Sequence, residues 1–165
     1  MPAKFTKTIF PGTFDPITNG HLDLIERGSR IFNEMVVSVV RNPDKNPLFT
    51  LSERIEMLRE VTAPLGNVTV KTFDGLLVDH ARECGAAAIL RGIRAISDYE
   101  YELQMALMNR RLAPGVEIVF MMPAQEYTFL SSRLVKEVFL LGGNVEGLVP
   151  AVVLERLRLK AAVPL

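Results

Sequence analysis

The chain has 165 residues, enough for one compact domain that buries about 70% of its unfolded surface without a disulfide or metal staple. Hydrophobic residues make up 48% of it, which excludes disorder, and 19 basic residues balance 19 acidic ones, leaving no basic excess to neutralise a nucleic-acid backbone. The lone Cys84 excludes an internal disulfide, no apolar run reaches membrane length, and "MPAKFTKTIFPG" lacks the core of a secretory signal, so a cytoplasmic protein without membrane or nucleic-acid partners is expected.

Along the chain, "KTIF" before Pro11 predicts a short buried strand. "ITNGHLDLIERGSRIF" carries Leu22, Ile25 and Phe32 at helical spacing. Met35 to Arg41 is β-branched and continuous, as in a strand buried on both faces. "TLSERIEMLREV" opens with Thr50 and has Glu53 three residues on, a capping box. "VTVKTF" alternates like a strand, "LLVDHAREC" reads as a helix stopped by Gly85, and "AAAIL" as a fourth strand. "SDYEYELQMALMNRRL" predicts a long helix with Tyr99, Leu103, Ala106 and Leu107 on one side. "VEIVFMMP" is a fifth strand ended by Pro123; "SSRLVKEVFLL" and "VPAVVLERLRL" are the last two helices. Strands alternating with helices predict an α/β fold: a Rossmann-like, doubly wound sheet of five parallel strands in a single domain over residues 1–165.

Such sheets bind ligands beyond the carboxyl ends of their strands. The unusual segments fall there: "PGTFDPITNGH" after the first strand, "NPDKNP" after the second, "DGLL" after the third, "RGIR" after the fourth and "PAQEYTFLSSR" after the fifth. Gly12 and Thr13 allow a tight turn that presents N–H groups, and His21 lies in the first turn of a helix opened by Asn19 and Gly20. A helix N-terminus favours an anion. Lys45, Arg91, Arg94 and Arg133 add cations, and Ser131 and Ser132 cap a second helix. Together they suit a polyphosphate ligand. No G-x-x-x-x-G-K-[ST] and no G-x-G-x-x-G after the first strand is present, and His21 and His80 have no metal-ligand spacing.

"PGTFDPITNGH", "RGIRAISDYEYE" and "SSRLVKE", in register over nearly the whole chain, resemble the bacterial phosphopantetheine adenylyltransferases, a branch of the nucleotidyltransferase superfamily with an H-x-G-H-like motif. Thr18 stands where the wider superfamily often has its first histidine. The resemblance implies transfer of AMP from ATP to 4′-phosphopantetheine, with Mg2+ carried by the nucleotide, in a homohexamer. It implies catalytic roles for His21, Thr13 and Lys45. ATP would be bound by Thr13, Phe14, His21, Gly92, Ile93, Arg94 and Glu102, with Tyr127, Thr128, Phe129, Leu130, Ser131, Ser132 and Arg133 around adenine and the β,γ-phosphates. The acceptor would be bound by Thr13, Lys45, Leu77, Arg91, Met108 and Asn109, with Leu76 beside the pantetheine arm.

An acceptor that is itself a phosphate monoester is mostly dianionic at neutral pH, so the reaction needs alignment and charge stabilisation more than a general base. Two other functions compete. Another small-molecule nucleotidyltransferase, of pyridine-nucleotide adenylyltransferase or cytidylyltransferase type, would keep the phosphate machinery and change the acceptor pocket. A non-catalytic adenine-nucleotide sensor would need neither His21 nor an acceptor cation.

Overall fold

The computed structural model describes residues 6–41 and 46–162. The elements follow in chain order: β1 (Lys7–Gly12), α1 (Asn19–Ile31), β2 (Glu34–Val40), α2 (Leu51–Thr62), β3 (Val68–Phe73), α3 (Leu77–Glu83), β4 (Ala88–Gly92), α4 (Ile96–Leu112), β5 (Glu117–Met121), α5 (Ser132–Leu140) and α6 (Ala151–Ala162). A 3-10 turn over Gln125–Tyr127 joins β5 to α5. The strands pair in parallel in the order β3-β2-β1-β4-β5, so the sequence order reverses between β1 and β4. This is the doubly wound sheet expected from the alternation.

The two faces of the sheet carry separate cores. On one face, Phe10, Val37, Val39 and Leu90 meet Leu24 and Ile25 of α1, Met57 and Leu58 of α2, Val135 of α5, and Val153 and Leu157 of α6. On the other, Ile9, Val36 and Ile89 meet Val78 and Ala81 of α3, with Ala113 and Val116 beyond α4. The predicted capping box holds: Thr50 accepts from the Glu53 amide and Glu53 accepts from the Thr50 amide.

Two strands run further than their apolar patterns. β1 continues through Pro11 and Gly12, paired with Ser38 and Val39 of β2. Proline is tolerated because β1 pairs with β4 only at Thr8 and Ile9. The Pro11 carbonyl faces Arg91 on the β4 side, and in a parallel ladder a residue's N–H points the same way, so Pro11 lacks a donor where no partner is needed. β4 extends to Gly92, which puts Arg91 on the strand and not in the loop after it. A Cβ at Gly92 would sit 2.6 Å from Leu24 Cδ1, so glycine there lets α1 close over the strand end.

α4 departs from the expected pattern more deeply. Among its described side chains the buried ones are the polar Glu102 and Asn109, while Tyr99 is 52% and Leu107 56% exposed. Of the apolar stripe, Tyr99, Leu103 and Leu107 face solvent and the half-buried Ala106 does not, while the polar Glu102 and Asn109 turn inward.

The loop between β1 and α1 is clamped from several elements. Asp15, at 3% exposure, accepts from the Leu48 amide (2.9 Å), the Phe49 amide (2.8 Å) and Lys136 Nζ of α5 (2.7 Å). Ser132 Oγ donates to the Pro16 carbonyl at 2.6 Å, and the Asn19 amide donates to the Leu148 carbonyl at 2.9 Å. Phe14 adopts a positive φ of 51° within this loop, and the Asp15–Pro16 peptide is cis. Asp15 therefore joins three chain segments through one buried carboxylate. Asp15→Asn should destabilise the protein by about 2–4 kcal/mol in urea unfolding, because Lys136 loses its counter-charge and an amide donor loses its acceptor. A loss within the roughly ±0.5 kcal/mol of ordinary surface substitutions would show that the clamp is dispensable.

Candidate active site

Two cavities open at the carboxyl edge of the sheet, beside the β1/β4 reversal. The first, of about 300 Å³, lies between β1, β4, the start of α1 and the start of α5. Thr13, Phe14, His21, Arg91, Gly92, Arg94, Glu102, Tyr127, Leu130, Ser131 and Ser132 line it, together with Thr18, Asp98 and Pro123. The second, of about 350 Å³, lies between β1, β4 and α4. Leu77, Met105, Ala106, Asn109, Val40, Phe73, Tyr101 and Ile118 line it. The two share Pro11, Gly12, Thr13, Arg91 and Glu102 as a common wall.

His21 is the third residue of α1, whose cap is Thr18. The Thr18 amide lies 3.1 Å from His21 Nδ1, and the His21 amide donates to Thr18 Oγ1 at 3.3 Å. A backbone amide can only donate, so Nδ1 must offer its lone pair. The proton of the neutral ring then sits on Nε2. The Phe14 ring packs against the imidazole at 71°, with centroids 5.1 Å apart, which holds the ring plane. Desolvation, followed by the positive charges of Arg94 and Arg91, pushes the imidazole pKa down to about 4. Near pH 7 the side chain is thus a neutral N–H donor. Nε2 has no hydrogen-bond partner among the described residues, and the side chain lines the first cavity. His21 is both a local helix cap and a cavity donor, and the first role sets the tautomer for the second.

The backbone supplies further donors. The amides of Thr13 and Phe14 and the Thr13 hydroxyl have no partner among the described residues. At the start of α5, Ser131 Oγ accepts from the Leu134 amide at 3.1 Å, leaving the Ser132 and Arg133 amides without partners among the described residues. The start of α5 and the turn after β1 therefore leave N–H groups unpaired among the described residues at the same edge, an arrangement that attracts anions.

The expected cations stand differently from a bare basic cluster. Arg91 forms a fork on Glu102, with Nη2 at 2.6 Å and Nε at 3.0 Å. Arg94 pairs with Asp98 at 3.1 Å and donates to the Leu130 carbonyl at 2.6 Å. The Arg133 guanidinium lies outward, paired with Glu137 at 2.9 Å, so this residue approaches the edge through its amide. Each described guanidinium of the set meets a carboxylate. Arg91 and Arg94 are partly withdrawn from solvent, where a guanidinium left unpaired is costly, whereas the pair of Arg133 is exposed. Lys45 lies outside the described residues.

Some expected residues line neither cavity. The Ile93 amide extends the strand pairing onto the Met121 carbonyl. Thr128 Oγ1 donates to the Gln125 carbonyl within the 3-10 turn. Phe129, Met108 and Leu76 are exposed. Sequence reasoning did not single out Asp98, Phe73 or Tyr101. Asp98 had a signal, its place four residues after Arg94; Phe73 and Tyr101 looked like ordinary strand and helix residues.

Among the described residues no group of three or more His, Cys, Asp or Glu side chains is placed to hold a metal ion.

Comparison with known proteins agrees with this geometry. Residues 9–138 match the family model described as cytidylyltransferase-like. The chain is 54% identical over 153 residues to the phosphopantetheine adenylyltransferase of Alkaliphilus metalliredigens (strain QYMF), covering 93% of this chain and 98% of the relative. It is 57% identical over 143 residues to that of Alkaliphilus oremlandii (strain OhILAs), covering 87% and 91%. It is 55% identical over 152 residues to that of Heliobacterium modesticaldum (strain ATCC 51547 / Ice1), covering 92% and 90%. Among solved structures, one from Vibrio parahaemolyticus described as "a Putative Nicotinate-nucleotide Adenylyltransferase" superposes with a TM-score of 0.67 at 15% identity, over 93% of this chain and 98% of the other. That likeness supports the fold alone.

Because cap and donor reside in one ring, substitutions can separate them. His21→Glu can keep the cap through its carboxylate but offers no donor, whereas His21→Gln can cap with Oε1 and donate from Nε2. Both should melt near the wild type. Turnover should fall about 10²–10³-fold for Glu and for Ala, and only about tenfold for Gln. Equal turnover of the Gln and Glu variants would reduce His21 to a cap.

Proposed function

The chain belongs to the phosphopantetheine adenylyltransferases, and from that premise we propose how its two cavities divide the reaction. The enzyme transfers the adenylyl group of ATP to 4′-phosphopantetheine, giving dephospho-coenzyme A and pyrophosphate. ATP takes the first cavity, and the acceptor takes the second. One observation carries the division: two cavities of small-ligand size meet at a single wall made of Pro11, Gly12, Thr13, Arg91 and Glu102. Two substrates that must bring one phosphate against another need such a shared wall.

The linings fit the assignment. The second cavity has an apolar stretch of Val40, Phe73, Leu77, Met105, Ala106 and Ile118, suited to a pantetheine arm, and Arg91 and Thr13 at its inner end, suited to a phosphate. The first has Pro123, Tyr127 and Leu130 for a base, and the N-termini of α1 and α5 for phosphates. An acceptor phosphate oxygen attacks the α-phosphorus in line. The new P–O bond forms as the bond to the β-phosphate bridging oxygen breaks, and pyrophosphate leaves. His21 Nε2–H and the Thr13 and Phe14 amides donate to the α-phosphate oxygens as negative charge builds there. No side chain takes a proton, since the dianionic acceptor is already a nucleophile. Cys84, buried at the end of α3, lines neither cavity, so direct transfer without an enzyme-bound adenylate is the simpler route. Mg2+ would be carried by the ATP phosphates and would offset their charge there, since the two carboxylates lining the first cavity, Asp98 and Glu102, are already paired with arginines and would not serve as its ligands.

Assembly follows from α4. Its outward Tyr99, Leu103 and Leu107 are large apolar side chains on an exposed helix face, which suits burial against further copies of the chain in a homohexamer. A cytoplasmic location fits the single unpaired thiol, and no described helix is long and apolar enough to cross a membrane.

The division predicts acceptor choice. 4′-Phosphopantetheine should release pyrophosphate from ATP, and pantetheine should not. Arg91→Ala should cost about 2–5 kcal/mol in kcat/KM for the acceptor while ATP binding changes little, and adding Glu102→Gln should restore part of it by removing the stranded carboxylate. Arg91→Lys should recover only part, since lysine lacks the planar fork. Equal use of pantetheine, or a defect of Arg91→Ala confined to the KM for ATP, would contradict the assignment.

A further inference from the structure

Arg54 is a buried cation that the reaction as described does not use. It lies in the first part of α2 and is 1% exposed. Nη1 donates to the Thr13 carbonyl at 2.9 Å and to the Val40 carbonyl at 3.1 Å, tying the loop after β1 to the end of β2. Nε is buried without a hydrogen-bond partner. No carboxylate lies within ion-pair distance among the described residues. Asp15 acts on it through its charge, but the Asp15 oxygens are taken by Lys136 and two amides. Two cations thus share one carboxylate behind the loop. A methionine or leucine would fill the same space without the cost of desolvating a guanidinium, so packing alone does not account for the residue.

The bond to Thr13 has a directional consequence. A trans peptide sets its N–H antiparallel to its C=O. With the Thr13 carbonyl held inward by Arg54, the Phe14 amide of the same peptide points away from Arg54. That amide has no partner among the described residues, and Thr13 and Phe14 both line the first cavity. Phe14 also has the positive φ that such a turn requires. We propose that Arg54 is a positioning residue for adenylyl transfer: it locks the Thr13–Phe14 peptide with its N–H toward the cavity and sets a positive charge behind that peptide.

The inference rests on the reading of the first cavity as the ATP site. Its effect belongs to the transition state, where the amide meets charge that is larger than in bound ATP. Arg54→Met removes the charge and both carbonyl contacts; Arg54→Lys keeps the charge but not the guanidinium geometry that reaches both carbonyls. The measurements are pyrophosphate release with ATP and 4′-phosphopantetheine, both KM values, ATP-binding stoichiometry and melting temperature. Turnover per ATP-binding site should fall about 10–100-fold in Arg54→Met and less in Arg54→Lys, with each KM within about threefold of wild type. A purely structural role would lower the number of binding sites and leave turnover per site unchanged, and that result in either variant overturns the proposal. A weakened ATP KM with normal turnover overturns it as well. Should Arg54→Met fail to fold, Arg54→Lys decides alone by the same criterion. Absence of turnover in the wild type would overturn the adenylyl-transfer reading and this inference together, whereas unchanged variants of an active wild type overturn the positioning role only.

Discussion

A single buried carboxylate holds the loop on which both cavities depend. Asp15 gathers the Leu48 and Phe49 amides and the Lys136 ammonium, and so ties the β1–α1 loop to the start of α2 and to α5. Without that convergence the loop would keep only its carbonyl ties, Arg54 on Thr13 and Ser132 on Pro16, and would lose its charged anchor to α5. The loop is rich in residues that break regular structure, including Gly12, Pro16 and Gly20. Its order comes from side chains of other elements reaching its carbonyls and carboxylate: Arg54 to Thr13, Ser132 to Pro16, and Lys136 to Asp15.

From that clamp follows the electrostatic character of the site. The cavity holds arginines, but each is matched to a carboxylate, and its histidine is neutral at pH 7. The unmatched donors among the described residues are N–H groups: backbone amides at the start of α5 and in the turn after β1, and His21 Nε2. Such groups stabilise developing charge without holding full positive charges close together in the free protein. They also need no reorganisation during the reaction, since backbone and cap fix their directions. The pair Arg91–Glu102 stands at the wall between the cavities, where an incoming phosphate would compete with a carboxylate for the guanidinium.

The layered fold was legible because the β-branched runs and helical stripes alternate, and the active edge was legible because turn residues and chemistry-bearing side chains follow the strands. Less visible were features set by long-range contacts. Arg54 looks like one more charge in the polar sequence "SERIEM", and only the fold shows that its position on α2 turns under the first loop. Asp15 reads as a turn aspartate until Lys136, far along the chain, arrives beside it. The extent of β4 was missed because its last residues, Arg91 and Gly92, carry no apolar signal. The α4 stripe was real in the sequence, but periodicity does not say whether an apolar face meets the chain's own sheet or its surroundings. The tautomer of His21 was beyond pattern reading, since it depends on where the Thr18 amide points.

The cap makes His21 a neutral Nε2–H donor before any substrate binds. Nitrogen-15 spectra of histidine-labelled, ligand-free protein read the tautomer directly, and the spectrum of His21→Gln separates His21 from His80. The expected spectrum is that of a neutral His21 ring at pH 7, protonated at Nε2 and accepting at Nδ1, with its titration displaced down to about pH 4. An imidazolium at pH 7, or a neutral ring carrying its proton on Nδ1, would contradict it.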